Sequence, residues 1–259
     1  MAPVRRAFDG RIIIVAALAA GSVCGFGEPA RAAPAWLRNA WKAAHHEDGR
    51  LTTAPPVARY VIDEGGAFVI DNRDVRHPML KFEDSPEVWV MSTSRGPRGD
   101  VLYKNDLGEP MLRATRLGGM TVFTVRRPEG SAATLAGASV PLRLAPVGPL
   151  ALYQRILQAS VRATRAAQHL VGFYAPEADP ASDGLIADAA AVAAEALVTL
   201  AAQRGGKATL AHVEKIALVE GAAPEVAMRG GIITITIVPT QGLAGRPSSM
   251  RIARAVGAH

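Results

Sequence analysis

The sequence predicts an α+β fold: an antiparallel β meander forming a small barrel or sandwich, then an α-helical hairpin, then a C-terminal strand-rich segment. Three observations carry this reading. Between Arg59 and about Arg143 short apolar runs alternate with period two and are parted by Gly, Pro and Asp. From Pro149 the apolar period lengthens to that of a helix and holds to about Gln203. After Gly221 to Pro224, β-branched residues return, most densely in "IITITIVPT".

The N-terminus reads as a targeting segment. Arg5, Arg6 and Arg11 precede an apolar run from Ile12 to about Gly27, and Ala30-Arg31-Ala32 has the small-residue pattern of a cleavage site. The apolar stretch is short for a bilayer span. Residues 1–32 are therefore assigned as a secretory signal peptide, with a periplasmic or secreted product. Arg5-Arg6-x-Phe8 hints at twin-arginine export and Cys24 at lipidation. Asp9 weakens the first and the bulky Val23 the second.

Removing the leader takes four of the 29 basic and two of the 23 acidic residues, leaving 25 against 21, a net charge of +4 on 227 residues. The cations are overwhelmingly arginine, which pairs with carboxylate and phosphate bidentately. An exported chain meets no chromosome, so nucleic acid is not an expected partner. The expected partners are an envelope protein or an anionic envelope polymer, and no transmembrane span is expected after signal removal. Cys24 is the single cysteine, so the remaining chain has no disulfide, thiolate zinc site or cysteine nucleophile. No cofactor motif is present: "GGK" at 205–207 lacks the spacing and the serine or threonine of a phosphate loop.

Residues 33–57 form the next segment, a short amphipathic helix with Trp36, Leu37, Ala40, Trp41 and Ala44 at helical spacing and then a linker through "LTTAPP". Residues 58–147 are the β-rich domain. "RYVID" and "AFVID" flank Glu64-Gly65-Gly66. "PMLKF" and "EVWVMSTS" flank residues 83–86, and "DVLYKND" and "PMLRATR" flank Leu107-Gly108-Glu109. Gly118-Gly119 leads into "MTVFTV", and "ASVPLRLAP", with Pro141, is expected as an edge or irregular strand.

Residues 148–259 hold the helices and closing strands, expected to share the same core or to rejoin the first sheet. Leu150, Tyr153, Leu157, Val161 and Thr164 mark one face of a helix reaching about Phe173. Arg155, Gln158, Arg162, Arg165 and His169 mark another. Asp179 before Pro180 caps a second helix, whose seam of Ile186, Ala190, Ala193, Leu197 and Leu200 allows close approach. Gly205-Gly206 ends it. "VEKIALVE", "EVAMRG" and "IITITIVPT" supply strands, and Ser248 or Ser249 caps a last helix.

Candidate chemistry is sparse. "RGPRGD" at 95–100 is turn material, but if Arg95, Arg98 and Arg113 converge they form a clamp for an anionic group. Asp100, Asp106 and Glu109 are positioned to neutralise them. "HHED" at 45–48 lacks the i, i+4 spacing of a zinc-protease helix. No Gly-x-Ser-x-Gly elbow or Ser-x-x-Lys occurs. Asp63 with Asp71, or Glu83 with Glu87, could serve as acid and base, provided their separation suits. "GRPSSMR" at 245–251 combines arginine and hydroxyls, suited to gripping an anion or capping a helix.

At "FEDSPEVWVMSTSRGPRGDVLYKNDLGEPMLRATRLGGMTVFT" and "IVPTQGLAGRPSSMRIARA" the chain resembles an uncharacterised family of exported alphaproteobacterial proteins, a domain of unknown function. The resemblance implies an envelope location and brings no catalytic or binding residues. The expected function is a non-enzymatic envelope module that binds a partner protein or anionic polymer. The alternative is a carboxylate-dependent hydrolase of envelope glycan.

Overall fold

The computed structural model describes residues 54–176 and 179–258, which belong to one compact unit. The leader, the Trp36–Trp41 segment and "HHED" lie outside the described residues.

Glycines at tight turns fold the first half into hairpins. Strands β1 (Val57–Ile62) and β2 (Ala67–Asp71) meet through Gly65 and Gly66, whose φ of +104° and +90° a side chain would resist. β3 (Met79–Phe82), β4 (Val88–Val90), β5 (Ser92–Arg95), β6 (Val101–Lys104), β7 (Pro110–Ala114), β8 (Met120–Thr124) and β9 (Arg127–Ala138) complete one antiparallel sheet, in the order β4-β3-β2-β1-β9-β8-β7-β6-β5. Its two edges, β4 and β5, are separated in the chain by Met91 alone. The sheet therefore curls until its ends meet, a nearly closed barrel.

The interior follows from register. Tyr60 lies opposite Phe68, with rings stacked at 5.4 Å, and Phe68 opposite Phe82, edge-on at 6.0 Å. Ile70–Leu80–Trp89 and Tyr103–Leu112–Val122 form further inward rows. One end of the barrel, its mouth, carries the β1–β2, β3–β4, β6–β7 and β8–β9 turns. The other, its base, carries the β2–β3, β5–β6 and β7–β8 connections.

Three elements differ from the sequence reading, one of them the helix expected to reach about Phe173, which ends at Ala167 with Phe173 in a strand. "ASVPLRLAP" forms no strand; the closing strand is β9, whose alanines, glycines and polar residues carry no alternating apolar signal. Pairing with β8 on one side and β1 on the other imposes extended structure on it. The segment after β9 is tied to the base through Asp71, which accepts from the Leu142 N–H at 2.9 Å and from Arg73. Burial opposes ionisation of Asp71, but the hydrogen bonds from Arg73 and Leu142 outweigh it and hold the carboxyl below its usual range.

The second half is a four-stranded sheet faced by helices and does not rejoin the first. Helix α1 (Pro149–Ala167) leads through β10 (Gly172–Tyr174) to α2 (Asp183–Ala202) and the short α3 (Gly206–Leu210). β11 (Lys215–Glu220), β12 (Glu225–Arg229), β13 (Ile232–Ile237) and α4 (Ser249–Gly257) follow. Strand order is β10-β11-β13-β12, with β11 parallel to both β10 and β13. The expected caps are present: Asp179 accepts from Ala181 N–H at 2.8 Å, and Ser248 from Arg251 N–H at 3.1 Å. Helix α2, with the turn from Pro180, is long and apolar enough to cross a bilayer, but most of it is buried as the core helix of this layer.

The α1–α2 contact is built from small residues. Ala159, Ala163 and Ala167 of α1 are buried with Leu152 and Ile156 beside them, against the alanine-lined seam of α2. The larger apolar face of α1, Leu150, Tyr153, Leu157 and Val161, is exposed. Close approach of the helices selects the alanine face. Ala163→Leu should therefore cost roughly 1–3 kcal/mol by overpacking. Leu157→Gln should change stability by less than about 0.5 kcal/mol. Urea unfolding of the two variants measures this, and the opposite ranking would mean that the wrong face of α1 has been taken as buried.

Candidate functional site

The residues 245–251 sit where the two layers meet. Gly245 is required there by close approach: a Cβ would lie 2.0 Å from the Val238 carbonyl oxygen, which no side chain can accept. That approach delivers Arg246 to the interior. Its side chain is 2% exposed. Its Nη2 donates to the Val88 carbonyl of β4 at 2.9 Å, its Nε donates to Asp188 of α2, and its Nη1 lies 3.6 Å from Glu87.

The first backbone N–H groups of α4 take up two barrel carboxylates. Ser248 N–H and Oγ–H both donate to Asp106 of the β6–β7 turn, at 2.9 and 2.6 Å. Ser249 N–H donates to Glu87 of the β3–β4 connection at 3.0 Å, and Ser249 Oγ hydrogen-bonds its other oxygen. A helix N-terminus favours negative charge, so this is a favourable seat for both acids. Arg254, further along α4, pairs with Glu109 of the β6–β7 turn. The "GRPSSMR" motif thus both grips anions and caps a helix, and the anions are the chain's own.

Above this joint the barrel mouth opens into a cavity of about 770 Å³. Its walls are Ile62, Phe82, Trp89, Met111, Val122 and Phe123, with Met250 of α4 closing one side and Asn105 donating weakly to the Met250 sulfur at 3.6 Å. Its rim is polar. Glu64 pairs with Arg127 at 2.8 Å and accepts from Ser131 at 3.4 Å, while Glu109 is held by Arg254. Arg126 of the β8–β9 turn and Asp84 of the β3–β4 turn also line it, and neither makes an ion pair among the described residues. Apolar walls with a few placed polar groups enclose a volume within the roughly 300–1,000 Å³ range of small-molecule sites.

The sequence-proposed residues fall elsewhere. Arg95 and Arg98 are exposed at the base, Arg98 with a left-handed φ of +60°. Arg113 is engaged by the buried Asp100, which accepts from its Nε at 2.7 Å. Register sets Arg95 on the face of Val101 and Ala114, so Arg113, adjacent to Ala114 in β7, is on the other face of the sheet. Asp63 and Asp71 flank opposite ends of β1, about 20 Å apart at the rise of a strand, beyond the roughly 5–9.5 Å of a glycosidase pair. Glu83 pairs on the surface with Arg59 at 2.6 Å, whereas Glu87 is buried against α4. His77 bonds Asp74 at 3.2 Å, and His169 bonds the Val213 carbonyl at 2.7 Å. Arg162, on the polar stripe of α1, pairs with Glu195 of α2. Among the described residues no three His, Cys, Asp or Glu side chains gather as a metal site requires.

The cavity itself was not read from the sequence. Its walls include Met111 and Phe123, next to the inward Leu112 and Val122 in strands whose register is shifted by bulges, so alternation alone does not mark them, nor can it tell a filled interior from an open one.

Fold and site together define an α+β protein whose nearly closed antiparallel barrel, open at one end, is clamped to a helix-covered sheet. The chain belongs to the family Domain of unknown function (DUF4908), which it matches over residues 37–256. No curated protein and no solved structure matches it.

The clamp makes stability depend on pH. Burial pushes the Glu87 carboxyl up from 4.5 to about 7, against the opposing pull of Arg246 and Ser249. The folded state holds the proton more tightly than the unfolded one, so the associated stability is complete below pH 4.5 and is lost as pH rises to about 7. Glu87→Gln should flatten that decline in urea-unfolding midpoints between pH 4.5 and 7.5, and an unchanged slope would count against it. Arg246→Met strands two acids and should cost about 3–5 kcal/mol at neutral pH.

Proposed function

We propose that this protein is a non-enzymatic binding module whose ligand enters the barrel mouth, with the apolar part against Trp89, Met111 and Val122 and the polar part at the rim. The observation that carries the reading is the cavity of about 770 Å³ in an otherwise filled barrel. The same barrel packs Phe68, Ile70, Leu80 and Leu112 without exposed surface nearer its middle. Of its apolar walls, Ile62, Phe82, Phe123 and Met250 are partly exposed, and covering such surface favours a ligand.

The reading includes action in the cell envelope, periplasmic or secreted. Its support is the leader pattern of Arg5, Arg6, Arg11, the apolar run and Ala30-Arg31-Ala32, together with a lone cysteine inside that leader. It does not draw on a clamp of Arg95, Arg98 and Arg113, because Arg113 is already neutralised by Asp100. It also sets aside glycan hydrolysis, because the candidate carboxylates either lie apart or hold the two layers together.

Trp89 is the reporter for the test. With Trp36→Phe and Trp41→Phe in the full chain, it becomes the one indole. Titration with the uncharged amphiphile decyl maltoside, below its micelle concentration, should shift Trp89 emission saturably. Ser131→Phe, which projects into the cavity opposite Val122, should weaken this by at least about tenfold. A wild-type cavity that gives no saturable response to the maltoside or to decyl amphiphiles with charged heads removes the proposal.

A further inference from the structure

The rim of the mouth has two sides of unlike chemistry. Strand order arranges the four mouth turns as a ring: β3–β4, β1–β2, β8–β9, β6–β7. The β3–β4 and β8–β9 turns are therefore opposite one another. The β3–β4 hairpin contributes Asp84 together with two aromatic residues, Phe82 and Trp89. An acid beside aromatic faces is the environment that recognises a quaternary ammonium. The β8–β9 turn contributes Arg126, a planar donor suited to phosphate or carboxylate.

The other charged groups of the rim are already matched. Glu64 is taken by Arg127, Arg127 also reaches Glu129 at 3.3 Å, and Glu109 is taken by Arg254. Asp84 and Arg126 are the pair left facing the ligand from opposite sides, one negative and one positive. A head group with a single charge would satisfy one and leave the other idle.

Resting on the reading of the mouth as a ligand site, we propose that the ligand is a single-chain amphiphile with a zwitterionic head. Its ammonium lies between Asp84 and the Phe82 and Trp89 rings, and its phosphate meets Arg126. Its chain lies along Met111, Val122, Ile62 and Met250. The apolar residues and the two charges line one cavity of about 770 Å³.

The test uses the full chain with Trp89 as sole indole and four decyl amphiphiles below their micelle concentrations: the phosphocholine, the phosphate, the trimethylammonium and the maltoside. Decylphosphocholine should bind about tenfold or more tighter than each of the others, the scale of one well-placed charge contact. Arg126→Gln should bring it to the level of the trimethylammonium compound, and Asp84→Asn to that of the phosphate. Both positions are exposed, so the melting temperature should hold, and Arg116→Gln at the base should bind as wild type. Free phosphocholine at equal concentration should not compete, which separates an amphiphile from a soluble head group. Equal binding of all four would overturn the zwitterion and leave the mouth as a ligand site; no binding by any of the four overturns both.

Discussion

One buried guanidinium joins the two halves of this protein. Arg246 reaches a backbone carbonyl and the buried Glu87 carboxylate of the barrel, and the partly exposed Asp188 carboxylate of the helical layer. Burying such a group is costly unless each of its partners is in place, so the arrangement is weak as a source of stability and strong as a specifier of geometry. The barrel can dock on helix α2 only where Val88, Glu87 and Asp188 all face the same arginine. Gly245 is part of this constraint, since any larger residue would hold the loop away from Val238 and withdraw the arginine.

Helix α4 supports the joint from the other side. A helix start offers unpaired N–H groups, and two hairpins of the barrel mouth supply the acceptors, Asp106 and Glu87. Two of the four turns around the mouth are thereby fixed to a rigid element, while the β1–β2 and β8–β9 turns are tied to each other by Glu64 and Arg127. The mouth is consequently an opening whose polar groups are largely committed to one another.

Much of this architecture was legible in the sequence, and the gaps have physical causes. Turn glycines and period-two runs marked the hairpins because each hairpin is a local structure. Strand β9 was hidden because its extended form comes from its neighbours on both sides. On α1 the periodicity marked the helix, yet the larger side chains point outward. Two alanine faces approach more closely than leucines would allow, and no single-helix pattern encodes the partner's surface. Alternation put Arg113 opposite Leu112 correctly. The failure of Arg95 to join it depended on register across three strands, which only the assembled sheet sets. "GRPSSMR" was recognised as an anion grip or helix cap, and its anions could not be named because they lie about 140–160 residues earlier in the chain, a separation reflected in no local propensity.

The joint and the mouth are not independent. Three consecutive residues of the barrel divide their work: Glu87 and the Val88 carbonyl hold α4 and Arg246, and Trp89 walls the cavity. On the other side Ser248 and Ser249 hold the barrel, and Met250 faces the cavity. Trp89 and Met250 thus each stand within two residues of a group bonded across the joint. The part of the fold that fixes the two layers is thus also the part that shapes the mouth, because the same short segments of the barrel and of α4 supply both.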